Sequence, residues 1–125
     1  FGGNPVSCVA ALETIKLLEE ELMENARVVG AHLKGRLSEL MAKHRLIGDV
    51  RGLGLMIGVE LVRDRATKEP ASTERDEIVQ SCFRHGLLML GCGVNTLRFC
   101  PSLVVTKEQC DTAIAILDDV LRKWD

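Results

Sequence analysis

Aromatic side chains are scarce: no tyrosine, one tryptophan and three phenylalanines account for 3% of the 125 residues. A chain so poor in ring faces offers no stacking platform for single-stranded nucleic acid. Neither charge is in excess. Sixteen basic against eighteen acidic residues give a formal net charge of -2 with no block of like charge, so the electrostatic footprint of a nucleic-acid-binding surface is missing. No apolar stretch reaches the roughly 18 residues needed to span a bilayer, and no signal peptide opens the chain, so no membrane partner is expected. Cysteine is present but unpatterned. Cys8, Cys82, Cys92, Cys100 and Cys110 are odd in number and include no C-x-x-C pair, which argues against a disulfide framework or a zinc ribbon. They read as buried thiols in a reducing cytoplasm, Cys92 falling in an expected loop between Gly91 and Gly93.

What is present is one globular domain's worth of apolar residues, 46% of the chain, enough to bury roughly two-thirds of the unfolded surface. Asn4 and Pro5 are an N-cap and a first helical residue. From Pro5 to Leu18 only Glu13 and Lys16 are charged, and a helix so apolar around its circumference is normally buried on most sides. Leu22, Ala26, Val29, Leu33, Leu37 and Leu40 recur at helical spacing up to about His44, which predicts an amphipathic helix, broken from the first near Glu20. Leu55, Ile57, Val59 and Leu61 alternate as in a strand, preceded by Gly52 and Gly54, a bulge or close-approach pair. Residues 63 to 73 read as a loop ending at a Thr73 cap, followed by a short helix closed by Gly86. Leu87 to Leu90 and Thr96 to Cys100 read as strands around a turn from Gly91 to Asn95. Thr106 and Gln109 form a capping box for a last helix whose stripe is Cys110, Ala113, Ile114, Leu117, Val120, Leu121 and Trp124. This order predicts a small α+β domain, with helices on one face of a largely antiparallel sheet.

Catalytic motifs are missing. There is no G-x-S-x-G, no H-E-x-x-H and no G-x-x-x-x-G-K-[ST], and His32, His44 and His85 have no Cys or carboxylate at metal spacing, so no metal is assigned and all three are expected at the surface or partly buried. The lysines fall on helices and loops, none in an apolar setting suited to Schiff-base chemistry. No catalytic residue is assigned. Arg98 stands out because Leu97 and Phe99 flank it in a strand, so these two pack on a core while the guanidinium leaves by the other face. Its planar fork needs an anion: a substrate carboxylate, or an internal Asp or Glu. Glu60 is an internal candidate, for Arg51 or for Arg98.

Three blocks, Phe1-Gly-Gly-Asn-Pro-Val-Ser-Cys-Val-Ala-Ala-Leu12, Ile47-Gly-Asp-Val-Arg-Gly-Leu-Gly-Leu-Met-Ile-Gly-Val-Glu-Leu61 and Leu97-Arg-Phe-Cys-Pro-Ser-Leu-Val-Val-Thr106, together resemble the C-terminal part of class III pyridoxal-phosphate-dependent aminotransferases. The 4-aminobutyrate aminotransferase group is the most similar in flavour. The resemblance implies the small C-terminal domain of a fold-type I enzyme, residues 21–125, preceded by a long buried helix, residues 1–20, that links it to an absent large domain. It implies pyridoxal phosphate as cofactor, a homodimer or higher homo-oligomer, and a ping-pong exchange that moves an amino group from an omega-amino acid such as 4-aminobutyrate to 2-oxoglutarate. Arg98 matches the family's substrate-carboxylate arginine. Phe1 and Gly2 match positions at the edge of the partner subunit's cofactor-phosphate site, and Gly91 to Asn95 would lie near the substrate entrance. The Schiff-base lysine lies upstream in that family, so the fragment alone is expected to be inactive. Acetylornithine or ornithine aminotransferase, an amino-acid racemase on the same scaffold, and a free-standing α+β binding module are the alternatives.

Overall fold

The computed structural model describes residues 1–125. Asn4 caps the first helix, its Oδ1 accepting from the Val6 and Ser7 backbone N–H groups at 3.0 and 3.3 Å. This helix, α1 (Pro5–Leu17), passes through a π-helical turn, Leu18–Leu22, into α2 (Met23–Lys43). The break expected near Glu20 is therefore a widened turn, in which the Met23 N–H reaches back to the Leu18 carbonyl. Along α2 the predicted stripe is buried at Val29, Leu33, Leu37 and Leu40. Along α1 nothing is buried by these 125 residues. Its apolar circumference has no facing element here, and Val6 and Leu12 are 79% and 66% exposed.

The sheet comprises β1 (Ile47–Leu53), β2 (Met56–Asp64), the two-residue β3 (Glu69–Pro70), β4 (Leu90–Cys92) and β5 (Thr96–Phe99). Its order is β1-β2-β5-β4 with β3 beside β2, and every pairing is antiparallel. Ile57, Val59, Leu61, Leu97 and Phe99 point to one face and form one core with α2, α3 (Ser72–Arg84) and α4 (Lys107–Leu121). The other face carries no helix. The architecture is the expected small α+β unit with a one-sided antiparallel sheet. No helix is long and apolar enough to cross a membrane.

The glycine pair resolves as a close approach. Gly54, at φ +54°, opens the two-residue β1–β2 hairpin, and a Cβ added to Gly30 of α2 would stand 2.2 Å from the Gly54 carbonyl oxygen. Elsewhere tertiary contacts move the predicted boundaries. The third helix starts at Ser72 rather than after a Thr73 cap, because fully buried Ala71 donates its N–H to the Leu61 carbonyl and anchors that end in the core. The strand expected from Leu87 begins only at Leu90. The Leu87 N–H still serves the end of α3, donating to the Cys82 carbonyl around Gly86 at φ +87°. Cys92 consequently lies in β4, not in a loop, and of the five thiols expected to be buried only Cys82 and Cys110 are; Cys8, Cys92 and Cys100 are exposed. The Thr106–Gln109 capping box of α4 forms as predicted.

His44, expected at the surface or partly buried, is instead fully buried. Its side chain lies at the end of α2, with Nε2 2.6 Å from Asp118 Oδ1 and Nδ1 2.7 Å from Asp125 Oδ2. Lys43 also donates to Asp118. Burial pushes the Asp118 carboxyl up, but the hydrogen bonds from Lys43 and His44 outweigh it and hold the carboxyl at about 2.

Candidate functional site

The open face of the sheet carries two guanidinium groups with contrasting surroundings. Arg51 of β1 lies with Nη1 2.6 Å from Glu60 Oε2 and 2.8 Å from Asp49 Oδ2. Hydrogen bonds to Asp49 and then Glu60 raise its pKa, so its charge is locked in place. Arg98, on the same face two strands away, is exposed and takes part in none of the structure's ion pairs. Its strand neighbours Leu97 and Phe99 are 0% and 7% exposed, as the alternation predicts. Across the ladder Arg98 faces Gly58 on one side and Leu90 on the other. Gly58 has no side chain to lie against it. Of the two partners open to Glu60, the structure selects Arg51, which leaves the Arg98 fork without an anion from this chain.

Beside Arg98 opens a cavity of about 560 Å³, lined mainly by apolar side chains. Leu33, Phe99 and Cys110 are buried at its walls, while Leu88, Leu90 and Cys100 are exposed with Arg98. Sequence periodicity missed this cavity, since its walls come from α2, the 87–90 segment, the end of β5 and α4. The one local signal is the run Leu87-Leu-Met-Leu90, too apolar for a segment whose Leu88 is 78% exposed.

Phe1 and Gly2 stand in the turn before α1, both exposed, and neither lines the cavity beside Arg98. The 91–95 run is divided between β4 and a turn, which Asn95 ties to β2 by donating Nδ2–H to the Leu61 carbonyl at 2.6 Å. No lysine is buried: Lys34 is half-exposed and donates to the Gly52 carbonyl, Lys43 and Lys123 pair with Asp118 and Glu77, and Lys16, Lys68 and Lys107 are exposed. Without a desolvated amine, these 125 residues do not by themselves form a site for an aldehyde cofactor.

A protein-family model described as aminotransferase class III matches residues 1–121. Isoleucine 2-epimerase of Lentilactobacillus buchneri is 43% identical over 118 residues, which cover 94% of this chain and 26% of the epimerase. The 5-aminovalerate aminotransferase DavT of Pseudomonas aeruginosa is 41% identical over 120 residues, 94% of this chain and 28% of that enzyme. Among solved structures, an amine transaminase from an uncultivated Pseudomonas species in its PLP-bound form superposes with a TM-score of 0.88 at 32% identity, covering 98% of this chain and 28% of that one. The chain thus spans about a quarter of the length of the relatives it matches. Pyridoxal phosphate is the cofactor of such enzymes. With its one-sided antiparallel sheet, its match from Phe1 to Leu121 and its transaminase-like backbone, the chain belongs to the class III aminotransferase family.

Proposed function

We propose that the chain is the C-terminal segment of a pyridoxal-phosphate-dependent aminotransferase, in which Arg98 binds the carboxylate shared by amino donor and 2-oxo acid acceptor. The observation that carries this reading is an exposed, unpaired guanidinium on a sheet face where the neighbouring Arg51 holds two carboxylates. A cation left without an internal anion is free to take one from a substrate, bidentately and with fixed geometry. Holding the carboxylate orients the reacting amine, which is a positioning contribution to the rate. The cofactor, held by the remainder of the polypeptide, supplies the electron sink. Residues 1–20 form the helix that packs on that remainder and residues 21–125 the small domain, a division supported by exposed Val6, Val9, Leu12, Ile15 and Leu17 on α1. The same exposed row argues against a free-standing module. Phe1 and Gly2 belong at the edge of a partner subunit's phosphate site in a homodimer, and the free thiols suit the cytoplasm.

The substrate pair is an omega-amino acid such as 4-aminobutyrate with 2-oxoglutarate. The DavT relative, named for 5-aminovalerate, supports an omega-amino donor. The epimerase relative supports a second reading, inversion at the α-carbon of an amino acid, for which the same arginine serves. Transamination of 4-aminobutyrate and 5-aminovalerate with 2-oxoglutarate by the full-length protein tests the first reading, and formation of D-allo-isoleucine from L-isoleucine, resolved by chromatography, tests the second. Arg98→Ala is expected to lower kcat/KM about 100-fold for donor and acceptor alike, the scale of a charged hydrogen-bonded pair. Unchanged kinetics with a lowered melting temperature would make Arg98 a structural residue and overturn the proposal.

A further inference from the structure

Three strands set a row of residues across the helix-free face: Arg51 of β1 is opposite Gly58 of β2, and Gly58 is opposite Arg98 of β5. Glu60 lies two residues along β2 on that face, opposite Asp49 on one side and Thr96 on the other. It is therefore diagonal to both arginines, at roughly 7 to 8 Å between backbone positions, a span that a glutamate and an arginine cover together. Gly58 puts no side chain between them. The structure gives Glu60 to Arg51, whose Nη1 stands 2.6 Å from Glu60 Oε2 and 2.8 Å from Asp49 Oδ2. Arg51 thus neutralises two carboxylates that face each other in the ladder, and at the same time keeps the longer of them off Arg98. The other cations beside this pair are Arg65 and Lys68. The Arg65 guanidinium is taken by the Met41, His44 and Arg45 carbonyls, and Glu60 turns to Arg51 rather than to exposed Lys68.

We propose that Arg51 is a positioning residue for the carboxylate site: by holding Glu60, it keeps Arg98 open to substrate. The inference rests on the reading of Arg98 as a carboxylate-binding residue and adds a residue on which that function depends. Without Arg51, Glu60 is a carboxylate tethered beside the guanidinium that the substrate's own carboxylate needs. It then competes, and the apparent affinity for substrate falls with the fraction of Arg98 left open, about fivefold for an exposed pair at the upper end of the usual strength. Saturating substrate displaces the competitor, so kcat is spared. Asp49 does not take this part, because it stands two strands from Arg98, about 10 Å across the sheet, on a side chain one methylene shorter.

The test compares two double variants of the full-length holoenzyme, Arg51→Met with Glu60→Gln and Arg51→Met with Asp49→Asn. Each loses one cation and one anion, so their net charges are equal, and both avoid the carboxylate repulsion that Arg51→Met alone creates. KM and kcat are measured for 4-aminobutyrate and 2-oxoglutarate, or for L-isoleucine where the epimerase assay is the positive one. In the variant that keeps Glu60, KM should rise about fivefold for each carboxylate at unchanged kcat. In the variant that keeps Asp49, KM should stay at the wild-type value. Equal KM values in the two variants, or a rise confined to the one that keeps Asp49, overturn the proposal; a lowered melting temperature in both with KM unchanged makes Arg51 a structural residue only. Arg98→Ala separates this failure from that of the underlying reading. Wild-type kinetics in Arg98→Ala overturn the carboxylate reading itself, whereas a loss there beside matching double variants upholds it and removes only the part given to Arg51.

Discussion

Leu97 and Arg98 are adjacent in β5 and belong to different problems. Leu97, fully buried among the α2, α3 and α4 side chains, finds everything it needs inside these 125 residues. Arg98, one residue on, leaves by the helix-free face and finds no anion there. The same contrast separates α2, which buries its apolar stripe, from α1, which buries nothing. Residues that hold the fold together are matched within the chain, whereas Arg98 and the apolar row of α1 are left unmatched. An unmatched group in an otherwise well-paired structure is thus the more informative sign of function.

The comparison is best broken at β5 itself. Leu97→Ala is expected to cost about 2 to 5 kcal/mol of stability by opening a cavity in the core, read as a lowered denaturation midpoint of the full-length protein. Arg98→Ala should shift that midpoint by less than about 0.5 kcal/mol while removing the 100-fold in kcat/KM. Equal stability losses in the two variants would erase the distinction between the faces. Gly30→Ala tests the fit of α2 to the β1–β2 hairpin. Its new methyl meets Gly54 backbone rather than a flexible side chain, so a loss of about 1 to 3 kcal/mol is expected by denaturant titration.

The smallest effect concerns acid. Asp118 titrates at about 2 in the folded chain, below its ordinary 3.8, so its stabilising contribution is present above about pH 4 and fades as pH falls toward 2. On the order of 1 kcal/mol should be lost over that window, and the pH profile of Asp118→Asn should lack this component. Matching acid profiles for wild type and variant would refute the assignment.

Patterns repeated within a few residues were legible. The α2 stripe, the alternation in β2 and β5 and the α4 capping box depend on near neighbours, and the structure keeps them. Features settled across long sequence distances were not. His44 looked like a surface or partly buried residue ending a helix, yet its two carboxylate neighbours lie 74 and 81 residues away. The start of α3 is set by Leu61, and β4 is delayed because the end of α3 claims Leu87. For Arg98, strand alternation gave the direction of the side chain, but only the folded sheet shows that Glu60 is already taken by Arg51.

The π-helical turn at Leu18–Leu22 bears on how α1 is aimed. An α-helix turns about 100° per residue, so the extra residue of a π-turn offsets everything before it by that angle relative to everything after. The azimuth of the Val6, Val9 and Leu12 row is therefore set against the Val29, Leu33 and Leu37 row by one residue in the glutamate run 19–21. Deleting that residue would preserve both helices and both rows while pointing the first row just over a quarter turn away from its present heading.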